Sequence, residues 1–228
     1  MWFKNIYEFC GLLINDKYLI HSEHKQCLYN KIMTNENIDE QILMFHSEQK
    51  WSDIANLNCT LTKLNKSRLF WVLPTINDLH WIKEIIDKHE VVSLVSIGCG
   101  CGLLEWLFEK YSGLNVIGVE VNRSWWCSKY SPPLFLKNIV FISENNENNF
   151  FLSDKYALLF CYFNNSSAFC EYIENYKGNL IFVIGPKSNE NRWTDPMPFD
   201  KKFNEYGWKL IGKKEMDRTN DYITVYKK

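Results

Sequence analysis

From residue 91 onward the chain alternates between two hydrophobic rhythms. Val91-Val92-Ser93-Leu94-Val95-Ser96-Ile97 is a short, nearly continuous apolar run, the pattern of a strand buried on both faces. Leu103 to Tyr111 then reads as a helix with Leu103, Leu104, Leu107 and Phe108 inward. Further strands are predicted over Leu114–Glu120, Asn138–Ser143, Tyr156–Tyr162 and Asn179–Ile184. A helix over Ala168–Tyr176 separates the last two, and Trp125–Tyr130 is helical until Pro132 and Pro133 stop it. Trp208–Met216 and Tyr222–Lys227 close the chain as a pair of strands around a polar turn. Strands alternating with helices predict an α/β fold, a mostly parallel sheet covered on both faces, with a final antiparallel hairpin.

The first 70 residues read mostly as helices. Trp2, Phe3, Ile6, Phe9, Cys10 and Leu13 follow one helical stripe. Ile38, Ile42, Leu43 and Phe45 follow another, with Asp39 and Glu40 favourably placed in its first turn. Thr75 or Asn77 is placed to cap a helix running through Leu79, Ile82, Ile85 and Ile86. The expected organisation is an N-terminal helical extension or lid over 1–73 and an α/β domain over 74–228.

Composition narrows the classes. The 228 residues are 46% hydrophobic and 23% charged, enough for a packed core. No run of about 18 apolar residues occurs, which argues against a membrane span. The first apolar run, Phe9 to Ile14, follows Glu8 and makes a poor signal peptide. Eight cysteines without such a leader read as free thiols in a reducing compartment, which predicts a cytoplasmic location. No CxxC pair occurs, and His21 and His24 lack a companion cluster, so no metal site is expected. Net charge is -1, and the 10 basic and 7 acidic residues of 181–228 are spread over strand-like segments, which does not favour nucleic acid.

The most informative segment is Ile97-Gly98-Cys99-Gly100-Cys101-Gly102. A buried strand ends, three glycines alternate, and a helix begins. Glycines there permit a sharp turn and close approach of a ligand to the backbone, and the helix start presents free N–H groups. A dinucleotide fingerprint needs glycine at position 103, where this chain has Leu103. Glu120 ends the next strand, 20 residues past Gly100, where a carboxylate can accept hydrogen bonds from the vicinal hydroxyls of a ribose.

On this loop and this acid, residues 91–228 resemble the class I S-adenosylmethionine-dependent methyltransferases. The resemblance implies a doubly wound, Rossmann-like sheet of seven strands in the order 3-2-1-4-5-7-6 with the last antiparallel, and S-adenosyl-L-methionine as cofactor. It implies cofactor contacts from Ile97, Gly98, Cys99, Gly100, Gly102 and Cys161, with Glu120 on the ribose and Val121 against the adenine. Of Ser143, Glu144 and Asn145 after the third strand, Glu144 is the first choice for the adenine amine.

The fourth strand ends in Phe160-Cys161-Tyr162-Phe163-Asn164-Asn165. Amino-methylating relatives often carry an acid or amide, two prolines and an aromatic there; this chain has no prolines and no acid, which puts adenine or glutamine methylation in doubt. Tyr162 and Asn164 are the catalytic candidates: Asn164 can accept from an amine, and Tyr162 or Phe163 can stack on a flat acceptor. Trp126 and Trp193 are further candidates to line an acceptor pocket. Trp125 and Trp126 are both expected to be covered, and the residues around Trp71 to fold over the pocket. The resulting expectation is a methyltransferase for a small-molecule acceptor, with a protein acceptor as the alternative and no membrane partner. A cofactor-binding module without catalysis is the second reading, and a nicotinamide-dependent oxidoreductase the third.

Overall fold

The apolar runs become strands, and their period of two sorts side chains between two cores. In the computed structural model, which describes residues 37–58, 67–142, 153–187 and 192–228, β1 (Ser93–Ile97) is buried at every position. Leu94 enters one core, and Val95 and Ile97 enter the other. β4 (Tyr156–Cys161) repeats the division, with Ala157 and Leu159 on the first side and Leu158 and Phe160 on the second. Successive side chains leave a strand on opposite faces, so a continuous apolar run suits a strand covered above and below.

With β2 (Asn115–Glu120), β3 (Ile139–Phe141), β5 (Leu180–Gly185), β6 (Lys209–Glu215) and β7 (Tyr222–Lys227), the sheet has seven strands in the order β3-β2-β1-β4-β5-β7-β6. Pairing is parallel from β3 through β5, and β7 is antiparallel to both its neighbours. This is the order and the reversed strand that the resemblance implies. The edge strand β6 is largely exposed and carries Lys209 and Lys213, charges that discourage pairing with another chain.

The chain from Asn37 to Lys228 is one compact unit. On one face of the sheet lie α1 (Ile38–Ser47), α2 (Trp51–Ala55), α3 (Ile76–Lys88) and α4 (Leu103–Ser112). They put Ile42, Phe45, Ile54, Leu79, Ile82 and Leu107 into the first core. Ile38, Leu57, Leu69 and Leu73, all before α3, therefore share the core of the sheet domain. The stripe from Trp2 to Leu13 lies outside the described residues. On the other face, α6 (Ser166–Asn175) and α7 (Lys202–Glu205) bring Phe169, Ile173 and Phe203 against Phe160 and Trp208. Burying one such side chain contributes roughly 1.5–3 kcal/mol. Packing of this kind, rather than propensity, is what holds short helices such as α2 and α7. No helix among the described residues is long and apolar enough to cross a membrane.

Local chemistry sets the helix starts. Thr75 caps α3 in a reciprocal box: its Oγ1 accepts from the Asp78 amide at 3.2 Å, and Asp78 Oδ2 accepts from the Thr75 amide at 2.9 Å. Asp78 is fully buried and meets Lys214 Nζ at 2.6 Å. Lys214 also bonds Asp217, whose carboxyl it holds below the ordinary range. Arg218 in the same turn donates to the carbonyls of Pro74 and Ala55 at 3.2 and 2.5 Å.

Some elements differ from expectation. β1 starts at Ser93, because Val92 faces solvent at half exposure. The helix expected over Trp125–Tyr130 is the single turn α5 (Arg123–Trp126), capped by Asn122 in a left-handed conformation with φ +54°. One turn cannot bury two adjacent indoles: Trp125 is 46% exposed and Trp126 half-buried, which corrects the expectation that both are covered. α7 is too short to leave a periodic signal.

Candidate functional site

Parallel register brings the glycine turn and the acid together. Ile97 pairs with Val119 on one side and with Phe160 on the other. The next residues, Gly98, Glu120 and Cys161, therefore emerge side by side at the carboxyl ends of β1, β2 and β4. Gly98 and Cys99 donate their amides to the Val119 carbonyl at 2.8 and 3.2 Å, which bends the chain across the end of β2.

The three glycines have left-handed φ of +71°, +61° and +76° but differ in surroundings. A Cβ on Gly102 would lie 2.6 Å from Leu136 Cβ, and one on Gly98 would lie 2.9 Å from the Phe163 ring. Both places are filled by the protein itself. A Cβ on Gly100 would meet only Trp126, at 3.6 Å. Gly100 thus keeps a backbone face open.

Glu120 lies over this turn. Its Oε2 accepts from the Gly100 amide and its Oε1 from the Val121 amide, each at 2.9 Å. A carboxylate oxygen accepts more than one hydrogen bond, so both oxygens retain capacity for a diol.

A cavity of about 350 Å³ opens beside the turn. It is bordered by Gly98, Cys99, Gly100, Glu120, Cys161, Tyr162 and Trp126 among the residues singled out from the sequence. Ile97 is buried beneath them. Gly102, Val121, Phe163, Asn164 and Trp193 do not border it. Gly102 caps α4, Val121 is half-exposed, and Phe163 packs edge-on against Phe160. Asn164 is exposed beside Asp195, and Trp193 is 70% exposed. Glu144, with Ser143 and Asn145, lies outside the described residues.

The strip Ser67–Val72 forms another wall. Cys101 Sγ donates to the Leu69 carbonyl at 2.8 Å, tying the strip to the glycine turn. Ser67 Oγ and the Arg68 amide donate to the Asp39 carboxylate of α1 at 2.5 and 3.2 Å. Burial pushes the Cys101 thiol up to about 12 and raises Cys99 and Cys161 as well, so these cysteines are neutral.

Opposite, Tyr162 turns out of β4 with φ +51°, a strained conformation for a bulky residue. Its amide donates to the Ile184 carbonyl at 2.9 Å. Its hydroxyl donates to Asp221 Oδ1 at 2.7 Å and accepts from Arg192 Nη1 at 2.7 Å. Arg192 also pairs with Asp221 at 3.2 Å. Asp221 is fully buried, and its Oδ2 has no hydrogen-bond partner among the described residues. Burial, then the bond to Asp221, raises the Tyr162 hydroxyl, so it keeps its proton. The ring stacks on Trp71, with centroids 5.3 Å apart and planes 7° from parallel. Tyr162 is held as an oriented aromatic surface.

Sequence reasoning missed Glu105, Arg192 and Asp221. Glu105, in the first turn of α4, is 2% exposed and borders the cavity. Ser96 Oγ donates to its Oε1 at 2.6 Å, and burial pushes its carboxyl up to about 7. The available signal was an acid set among Leu103, Leu104, Trp106, Leu107 and Phe108. Asp221 and Arg192 carry no comparable signal.

No family model matches the chain, and no curated protein matches its sequence. Among solved structures it is similar to the methyltransferase domain of bacterial CtHen1-CN, with 14% identity and a TM-score of 0.48, over 68% of this chain and 100% of that one. It is similar to magnesium protoporphyrin IX methyltransferase from Synechocystis PCC 6803, with 11% identity and a TM-score of 0.45, over 83% and 99%. A third is precorrin-6y C5,15-methyltransferase from Geobacter metallireducens GS-15, with 10% identity and a TM-score of 0.43, over 71% and 91%. The strand order of the sheet and its reversed β7 make this the Rossmann-like fold of class I methyltransferases.

Proposed function

We propose that this protein is a methyltransferase that uses S-adenosyl-L-methionine on a small-molecule acceptor. The observation that carries the proposal is the Glu120 carboxylate drawn onto the Gly100 amide beside an open cavity at the carboxyl edge of the sheet. The residues present fit the cofactor. Gly100 presents backbone without a side chain, and Glu120 has acceptor capacity left for the ribose. The half-exposed Val121 offers apolar surface for an adenine, and Glu144 is the candidate for its amine. Gly98, Cys99 and Cys161 border the space for the amino-acid end; Ile97 and Gly102 support the turn.

Bound there, the cofactor supplies a methyl group on a positively charged sulfur, open to in-line attack by an acceptor lone pair. The chain's part is to align the two reactants and exclude water. Tyr162 keeps its proton, so its role in this proposal is to orient a flat acceptor against its ring rather than to abstract a proton. Asn164 is the candidate hydrogen-bond acceptor for an amine. Trp126, Phe163 and Trp193 are the remaining candidates for acceptor contact, and Trp126 already faces Gly100. A formal charge of -1 and an aromatic-rich wall support a small acceptor over nucleic acid.

One observation supports a second reading, a cofactor-binding module without catalysis: the Tyr162 hydroxyl is committed to Asp221 and Arg192. Calorimetry with S-adenosylmethionine and S-adenosylhomocysteine tests the shared step, and absence of binding rejects both readings. Transfer of labelled methyl to a metabolite panel then selects the enzyme; binding without transfer to any acceptor class selects the module.

A further inference from the structure

We propose that Glu105, held by Ser96, receives the positively charged amino group at the amino-acid end of the ligand and makes the site selective for ligands that carry it. This rests on the reading of the cavity as an S-adenosylmethionine site and adds an assignment within it.

Glu105 is 2% exposed yet borders the cavity. Ser96, itself 1% exposed, fixes the carboxyl by donating to Oε1 at 2.6 Å. No ion pair to Glu105 is formed among the described residues. The titratable groups around it are Cys99 and Cys101 from the turn, Glu120 from the end of β2 and Cys161 from the end of β4. None of these is a cation. Arg68 also borders the cavity and is itself exposed.

A buried carboxylate without a counter-charge is costly. Two features nevertheless favour its charged form: the Ser96 hydrogen bond and its place in the first turn of α4, where the helix dipole attracts anions. Desolvation outweighs them, and the carboxyl is pushed up to about 7. The group is therefore close to balance between charged and neutral at physiological pH. An ammonium entering the cavity supplies the missing counter-charge and tips that balance. The two acids beside the glycine turn then have separate work: Glu120 takes hydroxyls, and Glu105 takes the cation. Binding of an amine-bearing ligand releases the proton that Glu105 holds in the empty site. Affinity for that ligand rises with pH until Glu105 is ionised without it.

The experiment is calorimetry on the full chain at about pH 7, in buffers of different ionisation enthalpy. The ligands are S-adenosylhomocysteine and its deamino analogue, which keeps the carboxylate. For the wild type, S-adenosylhomocysteine is expected to release a fraction of a proton and the analogue none. Glu105→Gln should weaken S-adenosylhomocysteine by roughly 10- to 100-fold, the worth of a hydrogen bond to a charged group. It should leave the analogue's affinity unchanged and abolish the proton release. Unchanged analogue binding also shows that the variant is folded. If Glu105→Gln does not fold, Ser96→Ala gives the second measurement: it should shift the proton release to higher pH. Equal binding of both ligands by the wild type overturns the assignment alone, as does normal S-adenosylhomocysteine binding by Glu105→Gln. Failure of the wild type to bind either ligand overturns the reading of the site itself.

Discussion

The two walls of the cavity are held by different means. On the β1–β2 side the geometry is made by backbone: left-handed glycines, amides given to the Val119 carbonyl, and a carboxylate resting on two further amides. On the β4 side it is made by side chains from distant parts of the chain, with Tyr162 fixed by Arg192 and Asp221. A backbone cradle suits a ligand that does not change, because its donors are independent of side-chain identity. A wall of interlocked side chains is adjustable, since exchanging one member reshapes the surface. Under the proposed function, that division would serve a constant donor on one side and a particular acceptor on the other.

Substitutions can break or sharpen this contrast. The largest effect is expected from Gly102→Val, which combines a φ of +76° with a Cβ only 2.6 Å from Leu136. A loss of more than about 4 kcal/mol, or no folded protein, should appear in denaturant unfolding. A stable variant would show that the turn is not set by backbone. Next is Asp221→Ala, which removes the acceptor of the Tyr162 hydroxyl and the buried carboxylate that Arg192 meets. A loss of about 2–3 kcal/mol is expected, discounted because Arg192 is partly exposed. Cofactor affinity should change little, and affinity changes as large as the stability loss would dissolve the contrast between walls.

Glu120→Ala should act in the opposite sense. The expected loss is roughly 1.5–3 kcal/mol of cofactor binding with modest change in stability, read by titration with S-adenosylhomocysteine. The smallest effect is a pH dependence. Glu105 has a folded-state value of about 7, above the 4.5 of an ordinary glutamate, so the folded state holds an extra proton between those values. Its contribution to stability is greatest below the lower value and is lost as pH rises through the upper one. Without ligand, stability should fall by about 1 kcal/mol between about pH 6 and 8, and Glu105→Gln should flatten that slope. An unchanged slope in the variant would assign the titration to another group.

Much of the fold was legible because it is written in short-range pattern. The both-face burial of β1 and β5 shows as uninterrupted apolar runs, and the Thr75 cap shows as a polar residue just before a periodic stripe. The glycine turn and Glu120 were legible because parallel neighbours place a strand end about 20 residues after the turn. What escaped notice depends on distance or on the failure of periodicity. Tyr162 and Asp221 are brought together by the pairing of β5 with β7. Glu105 escaped because α4 is buried all round its first turns, lodged between the sheet and the helices over it, so it has no polar face to read. Trp125 was misjudged because α5 ends after one turn.

The turn between β6 and β7 has a reach out of proportion to its length. With Lys214 at the end of β6, Asp217 clasps the start of α3, Arg218 grips the carbonyls of Ala55 and Pro74, and Asp221 steadies Tyr162. A single bend thereby holds Pro74, two residues past the strip that borders the cavity, and the aromatic ring facing it. Lengthening or cutting that bend should loosen both together, so changes far from any bound molecule can retune how the pocket accepts one.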